Sequence, residues 1–306
     1  MAKRIIVTGA TGFIGKKLVN ALLKRGDKVI VFSRDVSKSN SVFQDAVDSV
    51  EWNYNESNNL LPYLEDSDAI VHLAGANLFS KRWNEKFKHQ IIESRQISTK
   101  NLVSLIESCT NKLKAFISAS AIGYYGDGGN HILSEDSPSS KDFLAEVCKT
   151  WESESLVSET LGIRNVRIRT GLVLSSEDGA LKQMLLPFKF FVGGALCDGK
   201  QWMSWLHIDD MIKIYLYAID NTKVNGAVNA VSPNPVTMNE FAQILGKVLK
   251  RPSIFKVPKF VLRIAVGEAA NVITTSQRVS AKKLLNLGYT FKFPDLRQTF
   301  CDLLKK

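Results

Sequence analysis

Short, unbroken apolar runs alternate with longer stretches of helical periodicity through the first half of the chain. The runs Arg4–Thr8, Lys28–Ser33, Ala69–Ala74, Ala115–Ser120 and Val166–Thr170 predict strands. Helices are predicted over Lys86–Ser108 and Phe143–Leu161, and after Gly12, where Ile14, Leu18, Ala21 and Leu22 share one face that ends near Gly26. Strands apolar on both sides suit a parallel sheet covered by helices on both faces. The expected class is therefore α/β, a doubly wound parallel sheet whose ligands bind at the carboxyl ends of the strands. After Thr170 the helical pattern turns irregular, and Gly193–Gly194, Pro233, Pro235, Pro252 and Pro258 punctuate it. This predicts a cofactor domain over 1–170 and a smaller substrate-binding lobe over 171–306, with segments near 205–232 returning to the first. Thr237 followed by Glu240 reads as a capping box, and the polar stretch Ser33–Ser49 as a surface connection.

The first strand runs into Thr8–Gly15, TGATGFIG, and then into a helix. A buried strand, a glycine turn and a helix N-terminus together make an anion site, because free backbone N–H groups and the helix dipole converge there. Gly9 permits the turn, Gly12 lets backbone approach phosphates, and Gly15 lets helix and strand pack closely. Thr8, Gly9, Thr11, Gly12, Phe13, Ile14 and Gly15 are thus expected to hold a dinucleotide. At the second strand's tip an acidic residue would select NAD(H), whereas a small residue with a cation selects NADP(H). Ser33 holds the tip, Arg34 follows, and Asp35 comes too late. NADP(H) is the expected cofactor and NAD(H) the alternative. Leu73, Ala74, Gly75 and Ala76 bring backbone close to the cofactor, with Ser118 on the following strand. His72 reads as a core histidine.

Composition narrows the partners. The 306 residues are 45% apolar, enough for a substantial core, and carry a formal charge of +10. The cations are scattered and not interleaved with aromatics, which speaks against nucleic acid and suits a phosphorylated small molecule. Cys109, Cys148, Cys197 and Cys301 lack CxxC spacing, so neither a metal site nor a disulfide framework is expected, as in a reducing cytoplasm. Met1 leads straight into the first strand, leaving no room for a leader, and no apolar run approaches the ~18 residues of a membrane span.

Seven ordered motifs, TGATGFIG, HLAGANL with Arg82–Trp83, SASAIGYYG, FLAEVCKTWE, RTGLVLS, WLHIDD and PVTMNEF, carry a resemblance over nearly the whole chain. It resembles the atypical, epimerase-like branch of the extended short-chain dehydrogenases/reductases, relatives of NAD(P)-dependent nucleotide-sugar epimerases. The resemblance implies a Rossmann fold, a C-terminal substrate lobe, a small carbonyl or nucleotide-sugar-like substrate, and a homodimer paired through the helices Lys86–Ser108 and Phe143–Leu161. Working members use a Ser or Thr and a Tyr-x-x-x-Lys, whose phenol moves a proton at the substrate oxygen. Ser120 fits the first position, but Phe143 and Val147 stand where Tyr and Lys belong. A shift of one residue brings Leu144 and Cys148, which serve no better. Tyr124 or Tyr125 is the substitute phenol, and Arg82, Glu146 or Lys149 a substitute charge. Arg82, Arg95 and Arg169 are candidates for a substrate phosphate or carboxylate, and Gln201, Trp202 and Trp205 for the pocket wall. Asp209 and Asp210 read as a helix cap and a first-turn acid, and His207 as structural. Two functions follow: an oxidoreductase or epimerase with an altered catalytic site, or a catalytically silent NADP(H) sensor.

Overall fold

The computed structural model of the chain describes residues 2–54, 59–111 and 113–305. Its centre is a seven-stranded parallel sheet of β1 (Arg4–Thr8), β2 (Lys28–Ser33), β3 (Asp48–Glu51), β4 (Ala69–His72), β5 (Ala115–Ala121), β6 (Arg164–Thr170) and β7 (Gly226–Ala230), in the order β7-β6-β5-β4-β1-β2-β3. Successive side chains alternate between two cores, as the period of a strand demands. Ile5, Val7, Val29, Val31, Val71 and Ile117 face one side, while Ile6, Ile30, Phe32, Ile70 and Phe116 face the other. The first core is closed by α1 (Phe13–Arg25), by α2 (Val36–Phe43) through Phe43, and by a helix of the second half, Ile208–Asp220. The second is closed by α3 (Leu61–Glu65) and α4 (Glu85–Ser108), against which α5 (Phe143–Thr160) packs. Helices on both faces make this a Rossmann-type fold. Strand order reverses between β1 and β4, and ligands bind at that switch point in such sheets.

The stretch 33–49 is not a plain surface connection. Asp35 caps α2 by accepting the Lys38 N–H at 2.8 Å, and β3 begins at Asp48. Only Val50 of β3 is buried, so this short edge strand carries almost no hydrophobic signal. β4 stops at His72, and 73–76 runs on as loop.

Beyond Thr170 a third core gathers Leu174, Trp205, Phe241, Leu245, Leu296 and Phe300. It is framed by α6 (Ala180–Lys189) and a helix over Met238–Leu249, whose capping box forms in both directions between Thr237 and Glu240. The helix Ile208–Asp220 is capped by His207, whose ring accepts the Asp209 N–H at 2.9 Å, where the sequence suggests an aspartate cap. Asp210 lies buried instead and accepts the N–H groups of Lys292 and Phe293 at 2.8 Å, pinning the C-terminal segment to this helix.

Candidate functional site

The turn from β1 into α1 has the geometry of a bare anion cradle. Gly9 adopts φ +67°, and a Cβ there would sit 2.7 Å from the Leu73 carbonyl carbon. A Cβ on Gly15 would meet the Gly9 oxygen at 2.3 Å and Ala10 Cα at 2.7 Å. The Gly12 N–H closes the turn onto the Gly9 oxygen at 3.0 Å. Gly12 is the N-cap, so no side chain occupies the first N–H groups of α1, and no acid lies in its first turn. Phe13 and Ile14 are half-buried here, and Thr11 flanks the opening. Lys17 ties α1 to the second lobe through Glu177 at 2.7 Å.

At the tip of β2 the Ser33 hydroxyl donates to the Asp35 carbonyl at 2.9 Å. Asp35 spends its carboxylate on capping α2, while Arg34 is exposed, free of acidic partners among the described residues, and lies over the Tyr54 ring at 5.5 Å. An exposed cation without an acidic partner among the described residues therefore stands at the tip of β2.

Beneath the cradle, a buried chain of polar groups sets the floor. Thr99 donates to the Arg95 carbonyl at 2.6 Å, so its oxygen accepts from His72 Nε2 at 3.0 Å. His72 Nδ1 then accepts from the Thr8 hydroxyl at 2.7 Å, whose oxygen receives the Leu73 and Ala74 N–H groups at 3.2 Å. Every assignment requires the neutral Nε2–H imidazole, a core role as its apolar neighbours suggest. Burial, helped by Arg95, holds the imidazole down at about 3. Below pH 6.5 the unfolded chain binds a proton here that the folded chain refuses, so stability falls as pH falls toward 3. The expected loss from this group at pH 5 is about 2 kcal/mol. Denaturant titrations at pH 7 and pH 5 should show that His72→Gln loses correspondingly less than the parent chain.

Arg95 is 9% exposed and serves the protein rather than a substrate: it donates to the Ile91 carbonyl at 3.0 Å and the Ala76 carbonyl at 3.2 Å, over the Trp151 ring at 4.8 Å. It fits only because residue 75 is glycine, where a Cβ would lie 3.0 Å from the Arg95 guanidinium carbon. Ser118 is wholly buried beside His72, its hydroxyl without a partner among the described residues, and so lies beneath the surface at the end of β4 rather than on it.

The carboxyl ends of β5 and β6 carry the proton-handling candidates. Glu152, on the inward face of α5, receives the Ser120 hydroxyl at 2.6 Å and two parallel N–H groups of Arg169 at 2.9 Å. Arg169 is 4% exposed and also donates to Tyr125 Oη at 3.0 Å and the Glu135 carbonyl at 3.1 Å. It belongs to this buried pair, not to an incoming anion. Tyr125 commits its proton to Asn229 Oδ1 at 2.6 Å, and burial pushes its phenol up to about 12, a weaker acid than a free phenol. Tyr124 differs: it is half-buried, its ring lies 3.5 Å from the Arg169 guanidinium carbon, and no hydrogen bond among the described residues engages its hydroxyl. Phe143 and Val147 join Phe87, Ile91 and Trp83 in an apolar cluster between α4 and α5, so no Tyr–Lys pair is rebuilt there. Glu146 and Lys149 point outward, and the Cys148 thiol is pushed up to about 11 by burial and by Glu152.

In the second lobe, Trp205 is fully buried and donates to the Asn234 carbonyl at 3.0 Å, a core residue rather than a pocket wall. Gln201 is buried too, donating to the Leu196 carbonyl at 3.1 Å. Trp202 keeps open surface beside Arg278, whose guanidinium carbon stands 4.3 Å from its ring centroid. Arg82 is exposed and donates to the Ile264 carbonyl at 2.7 Å, which hooks the β4–α4 loop to a C-terminal helix, Lys259–Val266. Sequence reasoning missed Glu152, Asn229 and Gln277. Glu152 had a signal: it shares the helical face of Ala145, Cys148 and Ser155, a lone acid on a buried stripe. Gln277, which donates to the carbonyls of Ile122 and Gly126 and so holds the Tyr124 loop, had none.

Residues 5–230 match the model of the NAD dependent epimerase/dehydratase family, and residues 257–303 match a domain of unknown function, DUF1731. The chain is 38% identical over 291 residues to the epimerase family protein SDR39U1 homolog, chloroplastic, of Arabidopsis thaliana, covering 94% of this chain and 83% of that protein. It is 36% identical to the epimerase family protein YfhF of Bacillus subtilis, covering 98% and 97%. Among solved structures it is similar to the human epimerase family protein SDR39U1 (isoform 2) with NADPH, at 30% identity, 99% coverage of both chains and a TM-score of 0.88. UDP-glucuronic acid 4-epimerase from Bacillus cereus, at 19% identity and a TM-score of 0.76, shares the fold. A Rossmann-type sheet, the glycine cradle and these matches together place the chain in the NAD-dependent epimerase/dehydratase family.

Proposed function

We propose that the chain binds NADP(H) along the carboxyl edge of its sheet and works as an oxidoreductase or epimerase on a small carbonyl or nucleotide-sugar-like substrate. The observation that carries this reading is the bare α1 N-terminus in its glycine cradle, with Arg34 at the β2 tip free of acidic partners among the described residues. The NADPH in the human relative supports it. Gly9, Gly12 and the first N–H groups of α1 would hold the pyrophosphate. Ser33 and Arg34 would hold the ribose 2′-phosphate, for which a guanidinium offers two parallel donors. When bound, the nicotinamide supplies or accepts a hydride at a carbonyl or carbinol carbon.

Within this chain the phenol of Tyr124 is the group free to give that oxygen a proton. The Arg169 guanidinium carbon stands 3.5 Å from the centre of that ring. Glu152 holds Arg169 in that position through two N–H groups at 2.9 Å. The exposed Ile97, Leu156 and Val157 on the outer faces of α4 and α5 support a homodimer paired through those helices.

Calorimetric titration with NADPH and NADH tests the cofactor. Arg34→Ala should weaken NADPH by about 1.5–3 kcal/mol, roughly tenfold to a hundredfold, and leave NADH nearly unchanged. Equal losses would mean that the β2 tip does not read the 2′-phosphate. Turnover is read as a change at the reduced-nicotinamide absorbance band across a panel of carbonyl compounds, with Tyr124→Phe abolishing it. The apolar Phe143–Val147 cluster favours a second reading, a catalytically silent NADP(H) sensor, which tight NADPH binding without turnover on any compound would establish.

A further inference from the structure

The second lobe carries an exposed apolar surface that belongs to none of the three cores. Phe190, Phe191 and Val192 are 73%, 54% and 48% exposed at the end of α6. Ile254 is 79% exposed, and Phe260 and Ile264, on the helix Lys259–Val266, are 64% and 72% exposed. The two segments are one surface. The strand 255–257 pairs in parallel with 194–196, placing Phe255 beside Gly194, and Arg251 lies over the Phe191 ring at 4.2 Å. A soluble monomer does not leave this many large apolar side chains together without a use for them.

The charge around the patch is predominantly positive, with Asp178, Asp198, Glu240 and Glu268 only at the ends of its two segments. From 241 to 267 the chain has Lys247, Lys250, Arg251, Lys256, Lys259 and Arg263 and no acidic residue. The facing segment 179–197 adds Lys182 and Lys189, again without an acid. A helix with exposed Phe and Ile between cations has the make-up of elements that lie in a bilayer interface, apolar side chains in the acyl boundary and cations at the headgroups. Pairing two copies face to face would set these cations against each other, and a nucleic acid would leave the aliphatic side chains Ile254 and Ile264 without a contact.

We propose that this face docks the protein onto anionic lipid bilayers. Each cation near an anionic surface strengthens binding about fivefold, and the aromatic and aliphatic side chains add a component that salt does not screen.

Cosedimentation of the full chain with phosphatidylcholine vesicles, with and without phosphatidylserine, tests this. Binding should require phosphatidylserine and weaken at high salt. It should fall at least tenfold in Phe190→Ser/Ile264→Ser and in Lys256→Glu/Lys259→Glu, with melting temperatures close to that of the parent chain. These side chains are exposed, so the variants should fold. Equal and weak binding to both vesicle types would overturn the proposal. So would vesicle binding that Phe190→Ser/Ile264→Ser leaves intact. Retention on RNA or DNA without lipid binding would assign the patch to nucleic acid. A dimer in solution that Phe190→Ser/Ile264→Ser dissociates, again without lipid binding, would assign it to a second copy.

Discussion

Glu152→Ala should lower the unfolding free energy by about 3–5 kcal/mol in a denaturant titration, the largest loss expected from any one side chain of the site. The size follows from what is left behind. Arg169 is 4% exposed, and Glu152 supplies both acceptors for its paired N–H groups as well as the acceptor for Ser120. Alanine removes the only carboxylate within 4 Å of Arg169 among the described residues, stranding a guanidinium that water cannot reach. Glu152→Gln should cost less, because it keeps an acceptor while losing the charge. Ser120→Ala should cost about 1 kcal/mol, the net worth of an ordinary hydrogen bond. A Glu152→Ala loss no larger than that of Ser120→Ala would mean the pair does not hold the β5–β6 edge together.

Gly15→Val should abolish NADPH binding, a loss of at least about a hundredfold, or roughly 3 kcal/mol, in a calorimetric titration. The clash is with backbone: the first side-chain carbon would fall 2.3 Å from the Gly9 oxygen and 2.7 Å from Ala10 Cα. No rotamer moves a Cβ, so α1 must shift off β1, and its N–H groups leave the cradle. Gly12→Ala makes a useful comparison. Its Cβ would meet only the Gly9 oxygen, at 3.2 Å, so the fold should survive while a pyrophosphate loses its close approach. Unchanged NADPH affinity in Gly15→Val would remove the glycine turn from the cofactor site and with it the proposed function.

The site was legible where its logic is local. The strand, glycine turn and helix around Thr8–Gly15 are adjacent in the chain, and each glycine is explained by a neighbour a few residues away or by the next strand. Ser33-Arg34-Asp35 could be read because a strand's last apolar residue marks its tip. The capping duty of Asp35 agrees with leaving Arg34 as the charge available to a ligand. The arginines and tryptophans were harder. Arg95, Arg169 and Trp205 look like binding residues in a linear reading, because large polar or aromatic side chains suit both pockets and interiors. Their burial separates the two uses, and burial is not written into residues 95, 169 or 205.

The alternation of apolar runs and helical stretches by itself determined the doubly wound sheet, because strand and helix periods are properties of neighbouring residues. It likewise determined the cradle and the absence of the usual Tyr–Lys pair. Only the tertiary structure decided which phenol is free. Tyr125 is consumed by Asn229, 104 residues away, and by Arg169, which Glu152 draws in from another element. It also decided that two separate apolar segments meet as one basic-edged surface, since the strands 194–196 and 255–257 pair across the chain. Contacts between distant segments depend on how the elements pack, and no local pattern of residues encodes that distance.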